Sequence, residues 1–398
     1  MAPSAPWRPV RLSRTGAGRA GRVSSVTVRY RTLLPGAALV MAALTVTACS
    51  SGGSAGGAGA AGVQSNSAAT AGANTVADDG AAGAVTVARA RQVFGNYVSA
   101  TASALAKDDE QAALAVTGGA AQDMVTDQFV MAHSAGTKLP DYRYGTPTFY
   151  RPDLTSAPRW FAVSVRRTAS APTTLAGVPV AAQGEVLMVF DQASATSPWL
   201  LVSSAQLTPG QPLPAIAVTG AGYAETVPAN AGTTLAQPDV TGPLQAAVVD
   251  DGPASAATRA VAAGPLTTGV YAYQSSPAPQ YAAPHGDVRQ WSLEGTSYGN
   301  FALRTANGGA LVLYAMDLDT VVEVPSVPAD ASPLRPGPPI SIPTEFVPLL
   351  KPGTPSPRYK LITQLVLSFA AIDPPAASGG TKIQVVAVGG SPNWASAS

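Results

Sequence analysis

The stretch Trp160-Phe161-Ala162-Val163-Ser164-Val165-Arg166-Arg167 alternates with a period of two. Successive strand residues point to opposite sides, so Phe161, Val163 and Val165 share one face of a strand. The neighbouring segments follow suit. Upstream, Tyr142, Tyr144, Thr146, Thr148 and Tyr150 lie on one face of a strand over 142–150. Downstream, Glu185 to Asp191 encloses a continuous apolar run, and Trp199 to Ala205 forms a fourth strand after a turn at Pro198. Before residue 140 the period changes. Val87, Ala90, Phe94, Tyr97, Val98, Thr101 and Leu105 recur at three- and four-residue steps, the signature of an amphipathic helix. Asp108 or Asp109 can cap a short second helix through Val116, which Gly118-Gly119 stops. A third helix over about 120–134 carries Met124, Val125, Gln128, Phe129 and Ala132 and ends before Gly136. Helices followed by four antiparallel strands predict an α+β domain over 85–208.

Beyond it, residues 209–242 are rich in Pro, Gly, Ala and Thr without sustained periodicity and read as a linker. A second, mostly β module is expected over 243–398. Leu244 to Ala263 is weakly helical and broken at Asp250-Asp251-Gly252-Pro253. Strands are expected at 269–274, 299–305, 310–324, 358–372 and 381–388, with Asn307-Gly308 as the hairpin turn between two of them. The loop 325–357 holds eleven prolines and is expected to be extended and exposed. Pro158-Arg159-Trp160 and Pro357-Arg358-Tyr359 each open a strand, a hint of duplication. The fold class is thus α+β, two modules that each pack a helical segment on a curved antiparallel sheet.

The first 84 residues carry a different message. Seven arginines precede residue 49, and an apolar run from Leu33 to Val46 follows them. A positive start, an apolar core and small residues before a processing site are the parts of a secretory signal over residues 1–48. The run falls short of the ~20 apolar residues that a membrane-spanning helix needs. Val46-Thr47-Ala48-Cys49 resembles the lipobox of bacterial lipoproteins, and Cys49 is the only cysteine. That resemblance implies a diacylglyceryl group on the Cys49 thiol, cleavage just before it, and attachment to the outer face of a membrane. Residues 50–84 are nearly all Gly, Ala, Ser, Thr and Asn, a flexible tether with a root-mean-square span of about 30–35 Å.

Composition narrows the function classes. Of 398 residues 46% are hydrophobic and only 12% charged, and arginine outnumbers lysine, as in a high-GC genome such as an actinobacterium's. The formal charge of +1 rests on the leader: removing its seven arginines from 24 basic residues leaves 17 against 23 acidic, a net of −6. A mildly acidic chain without basic clusters lacks the electrostatic footprint of a nucleic-acid binder. With Cys49 acylated, no disulfide is available.

Motifs for chemistry are sparse. Gly295-Thr296-Ser297-Tyr298-Gly299 matches G-x-S-x-G, but a strand is expected after it and both histidines, His133 and His285, precede Ser297. Asp317 and Asp319 form a D-x-D pair, and with Glu323 they share a strand face that reads as solvated. No zinc spacing and no phosphate-binding loop is present, so neither metal nor cofactor is expected. His133 sits near a helix end, where the dipole favours it. The order of elements over 85–208 resembles nuclear-transport-factor-2-like domains, whose helices and curved sheet enclose a pocket. That resemblance would gather Tyr97, Asp127, His133, Tyr144 and Trp160 around a small-molecule site. The whole chain resembles the two-domain lipoproteins that actinobacteria encode. The expected role is a membrane-anchored extracytoplasmic protein for binding or cell-envelope interaction, with a pocket enzyme or binding protein as the alternative and the proline-rich loop as a candidate partner-docking segment.

Overall fold

The computed structural model describes residues 83–276, 288–323, 339–351, 353–354 and 356–398, all within one compact unit running from Asn74 to Ser398. The expected leader, Cys49, nearly all of the expected tether, His285 and the centre of the proline-rich loop lie outside the described residues.

Three helices open the fold. α1 (Val87–Lys107) starts where the Thr86 side chain accepts a bond from the Arg89 amide, 3.1 Å. Its inward stripe is Ala90, Val93, Phe94, Tyr97, Thr101 and Ala104. α2 (Glu110–Leu114) is capped by Asp109, which accepts from the Ala112 amide at 3.0 Å. α3 (Gly119–Ala135) ends at Gly136 in the left-handed region (φ 60°), and the Thr137 amide bonds back to the Ala132 carbonyl.

The strands are β1 (Tyr142–Tyr144), β2 (Thr148–Tyr150), β3 (Arg159–Ala169), β4 (Thr173–Leu175), β5 (Val178–Val180), β6 (Gln183–Gln192), β7 (Leu200–Leu207), β8 (Val288–Gly295), β9 (Phe301–Arg304), β10 (Ala310–Glu323), β11 (Lys360–Asp373) and β12 (Gln384–Ala397). Ten of them form one open antiparallel sheet in the order β1-β3-β6-β7-β12-β11-β10-β8, with β2 on β3 and β9 on β10; β4 and β5 form a separate hairpin. The fold class is α+β. The strands on either side of residues 209–242 meet in this sheet through Ala387↔Leu207 and Val388↔Gln206.

Strand alternation assigns three apolar layers. Phe161, Val163 and Val165 of β3 and Val186, Met188 and Phe190 of β6 face α1, where Phe94 and Tyr97 meet Phe190 edge-on at 6.2 and 5.5 Å. The opposite faces, with Ala162, Leu187 and Val189, pack on Leu303, Leu311, Leu313 and Ala370. Both faces of β6 are buried, which explains its continuous apolar run. The other side of β10 and β11, with Val312, Tyr314, Met316 and Phe369, is covered by α4 (Thr241–Asp251), α5 (Thr268–Ser275) and the β4–β5 hairpin.

Several expectations shift in detail. Residues 269–274, expected as a strand, form α5. Helical spacing turns Val270 and Gln274 inward together, and Gln274 donates to the Thr320 hydroxyl. Tertiary packing outweighs the strand propensity of Val270, Tyr271 and Tyr273. β8 lies outside the expected strands because its apolar face has only Trp291 and Leu293 alternating with Gln290, Ser292 and Glu294, too short a pattern to stand out; these two bind the end of α4 through the Val249 carbonyl and the Asp250 carboxylate. Residues 209–242 run beside β9. The Ala217 amide bonds to the Arg304 carbonyl, Arg304 to that of Glu225, and Val227 to that of Ala302. Within the expected extended loop 325–357, the described part buries Ile340 and Phe346 and forms a 3-10 turn over Thr344–Leu349.

Candidate functional site

A cavity of about 1160 Å³ opens where α1 and α3, β1, the β4–β5 hairpin, β7, parts of β10, β11 and β12 and residues 341–346 come together. It exceeds the ~300–1,000 Å³ usual for small-molecule sites. Its apolar wall includes Met124, Val125, Leu201, Leu318, Phe346 and Leu365.

One pole is a cluster of hydrogen-bond donors. Tyr142 and Tyr144 are two apart on β1 and so turn to the same side, and Tyr144 lies directly across from Arg167 on β3. The Arg167 guanidinium carbon sits 5.0 Å from the centre of the Tyr142 ring, and its charge also acts on the hydroxyls of Tyr97 and Tyr144. Burial raises all three tyrosines above their ordinary range, so each hydroxyl keeps its proton. Gln128 interacts with the Tyr142 hydroxyl. The Arg167 Nε and the Thr101 hydroxyl are buried without a hydrogen-bond partner.

The second pole is Asp127 on α3. It is 3% exposed and accepts a 2.8 Å bond from the Ser391 hydroxyl of β12. Burial pushes its carboxyl up to about 7 against the opposing effect of Ser391, and the charge of Asp123 one turn earlier adds to the rise. A carboxyl that titrates near neutrality inside a cavity can hold or release a proton under ordinary conditions.

The residues expected around a pocket divide cleanly. Tyr97, Asp127 and Tyr144 line the cavity together. His133 does not: it sits in the last turn of α3, half-exposed, with Nε2 2.7 Å from the Asp108 carboxylate in a smaller neighbouring cleft. Trp160 turns to the other face of β3, 5.2 Å from the Phe301 ring. Residue parity on β3 separates them: odd positions through Arg167 follow the Phe161 side, and Trp160 is even. The same parity puts Tyr142 and Arg167 on the cavity side, although neither belongs to the expected pocket set. Ser391 lies 264 residues from Asp127, and no local pattern announces that contact.

The remaining motifs lie elsewhere. Gly295 to Gly299 connects β8 towards β9, and the Tyr298 hydroxyl donates to the Asp123 carboxylate. Asp319 accepts from Gln364 at 2.9 Å. Burial and the nearby acids Asp319, Asp123 and Glu294 raise Asp317 to about 6, so that end of the D-x-D face is less solvated than the sequence suggested. Among the described residues, no three His, Cys, Asp or Glu side chains group as a metal site, and no helix is long and apolar enough to cross a membrane.

No curated protein and no solved structure matches the chain. A family model does: residues 81–378, covering α1 to β11 and most of the cavity lining but not the part that β12 supplies, match a domain of unknown function, DUF8094. With well over half of its length inside that match, the chain belongs to the DUF8094 family.

Proposed function

We propose that this protein is a lipid-anchored, extracytoplasmic binding protein that holds a small molecule in the cavity between its helices and its sheet. The cavity carries the reading: it joins a broad apolar wall to a few convergent polar groups, the usual make-up of a ligand site. The address rests on the leader, Cys49 and the 50–84 tether. Two acyl chains on Cys49 give durable attachment, at about 0.8 kcal/mol per buried CH₂. The nuclear-transport-factor-2-like resemblance belongs to the same proposal, with α1 to α3 forming the cover and β1 to β7 the wall.

Two experiments test it. Growing cells on radiolabelled palmitate should label the native protein and leave Cys49→Ala unlabelled; equal labelling of both would remove the anchor. Native mass spectrometry of the full chain extracted from membranes should find a bound small molecule. Val125→Trp, which fills the cavity from α3, should lose that mass while keeping its melting temperature. An empty native protein would remove the binding role.

One observation favours a second reading. Asp127, buried in the cavity and titrating near 7, has the properties of a general base. An enzyme would return a changed molecule from incubation with the recovered ligand, and Asp127→Asn would abolish the change while retaining binding.

A further inference from the structure

The chemical class of the ligand can be read from how charge is distributed around the cavity, an inference that rests on the cavity being a binding site. Arg167 is the decisive residue. Among the described residues no carboxylate forms an ion pair with it, its Nε is buried without a hydrogen-bond partner, and its guanidinium bonds only to the neutral Tyr144 hydroxyl while lying against the Tyr142 ring. A half-buried guanidinium without a counter-charge is costly, whereas a carboxylate or phosphate matches its fork of donors. The groups around it are donors too. Tyr97, Tyr142 and Tyr144 keep their hydroxyl protons, the buried Thr101 hydroxyl is unpartnered, and Lys138 stands at the cavity edge as a second cation.

The acids of the cavity are placed apart from this pole. Asp127 is engaged by Ser391 and influenced by Asp123, and neither it nor Glu345 pairs with Arg167 or Lys138. The rest of the wall is apolar, from Met124 and Val125 of α3 across to Leu318 and Leu365 of the sheet. A group of donors around a cation without a counter-charge, in a chamber that is otherwise largely apolar, suits a molecule that is anionic at one end and apolar along its length.

We propose that the cavity binds an amphipathic anion, its carboxylate or phosphate head on Arg167 among Tyr97, Tyr142 and Tyr144, and its apolar body along Met124, Val125, Leu318 and Leu365.

The test uses the full-length protein in membranes with three photoreactive probes that share one diazirine-bearing acyl chain. One ends in a carboxylate, one in a phosphate monoester and one in an uncharged alcohol. Peptide mapping reads the crosslinks to α1, α3, β1 and β7. An anionic probe should label these peptides about tenfold more than the alcohol, as one charge-assisted bond in a desolvated site predicts. Whichever anion labels more strongly identifies the head group. Arg167→Gln should bring anionic labelling down to the alcohol level, and Arg167→Lys should restore part of it. Should Arg167→Gln fail to fold, the comparison of probes on the native protein decides alone. Equal cavity labelling by all three would overturn the anion and leave the binding role standing. Labelling that avoids the cavity with every probe would overturn both.

Discussion

Asp127 shows how one buried residue sets a property of the whole chain. Burial lifts its carboxyl from 3.8 to about 7, so between these values the folded protein retains a proton that the unfolded chain releases. The native state binds more protons than the unfolded one, and stability therefore falls as pH rises through that window. Well below pH 3.8 both states are protonated and the penalty is absent; above about pH 7 it reaches its full size. Asp127→Asn preserves the shape and still accepts from Ser391, without the ionisation. Relative to the native protein the variant should gain stability between pH 5 and pH 8, on the order of 3 kcal/mol for a shift of about three units. Chemical denaturation of both proteins at the two pH values measures it, and parallel pH profiles would show that Asp127 is not the group responsible. Asp317 and Asp373, both raised to about 6 chiefly by burial, slope the native profile in the same direction and cancel in the comparison.

The elements differ in how openly the sequence declares them. α1, α3 and β3 each bury a face long enough to leave a periodic trace, β6 and β10 leave apolar runs because both of their faces are largely buried, and all five lie close to where the sequence predicts. The β4–β5 hairpin leaves no such trace, because each strand has three residues and its contacts are remote. It turns on Ala176 and Gly177, both at positive φ (49° and 79°), a mirror-image turn suited to strand twist. The hairpin drives Leu175, Val178 and Val180 into the layer beneath α4 and α5. At its tip a β-carbon on Gly177 would lie 2.3 Å from the Tyr273 ring. Gly177→Ala thus meets both a strained backbone and a steric conflict, and should lower stability by about 1–3 kcal/mol. Thermal denaturation checks this; an unchanged melting temperature would mean that the hairpin tip and α5 are not held together. The cavity was legible to the same degree as its elements. Tyr97, Asp127 and Tyr144 lie on strongly periodic segments and were found together, whereas Ser391, Gln206 and Phe346 arrive from distant, weakly patterned strands and turns.

At the scale of the whole molecule, the question is whether residues 83–208 and 243–398 unfold together. Their contact is not confined to the single junction of β7 with β12. The layer behind β3 and β6 consists of side chains from both halves, with Leu187 and Val189 against Leu311, Leu313 and Ala370. The hairpin from the first half lies in the core of the second, and residues 209–242 donate amides to β9 rather than hanging free. Separating the halves would expose all of these apolar surfaces, at roughly 25 cal/mol per Å². Calorimetry should accordingly show one transition whose calorimetric and van't Hoff enthalpies agree, the mark of a single cooperative unit. The junction offers a directed perturbation. At Gly389 the strands β12 and β7 approach so closely that a β-carbon would lie 2.1 Å from the Ser204 carbonyl oxygen. Gly389→Val must force β12 away from β7, and its cost should appear as a downward shift of the entire transition. If the shift fell on one half only, or if the native protein already melted in two steps, the halves would be independent domains. The cavity, walled by both, would then be only as rigid as their docking.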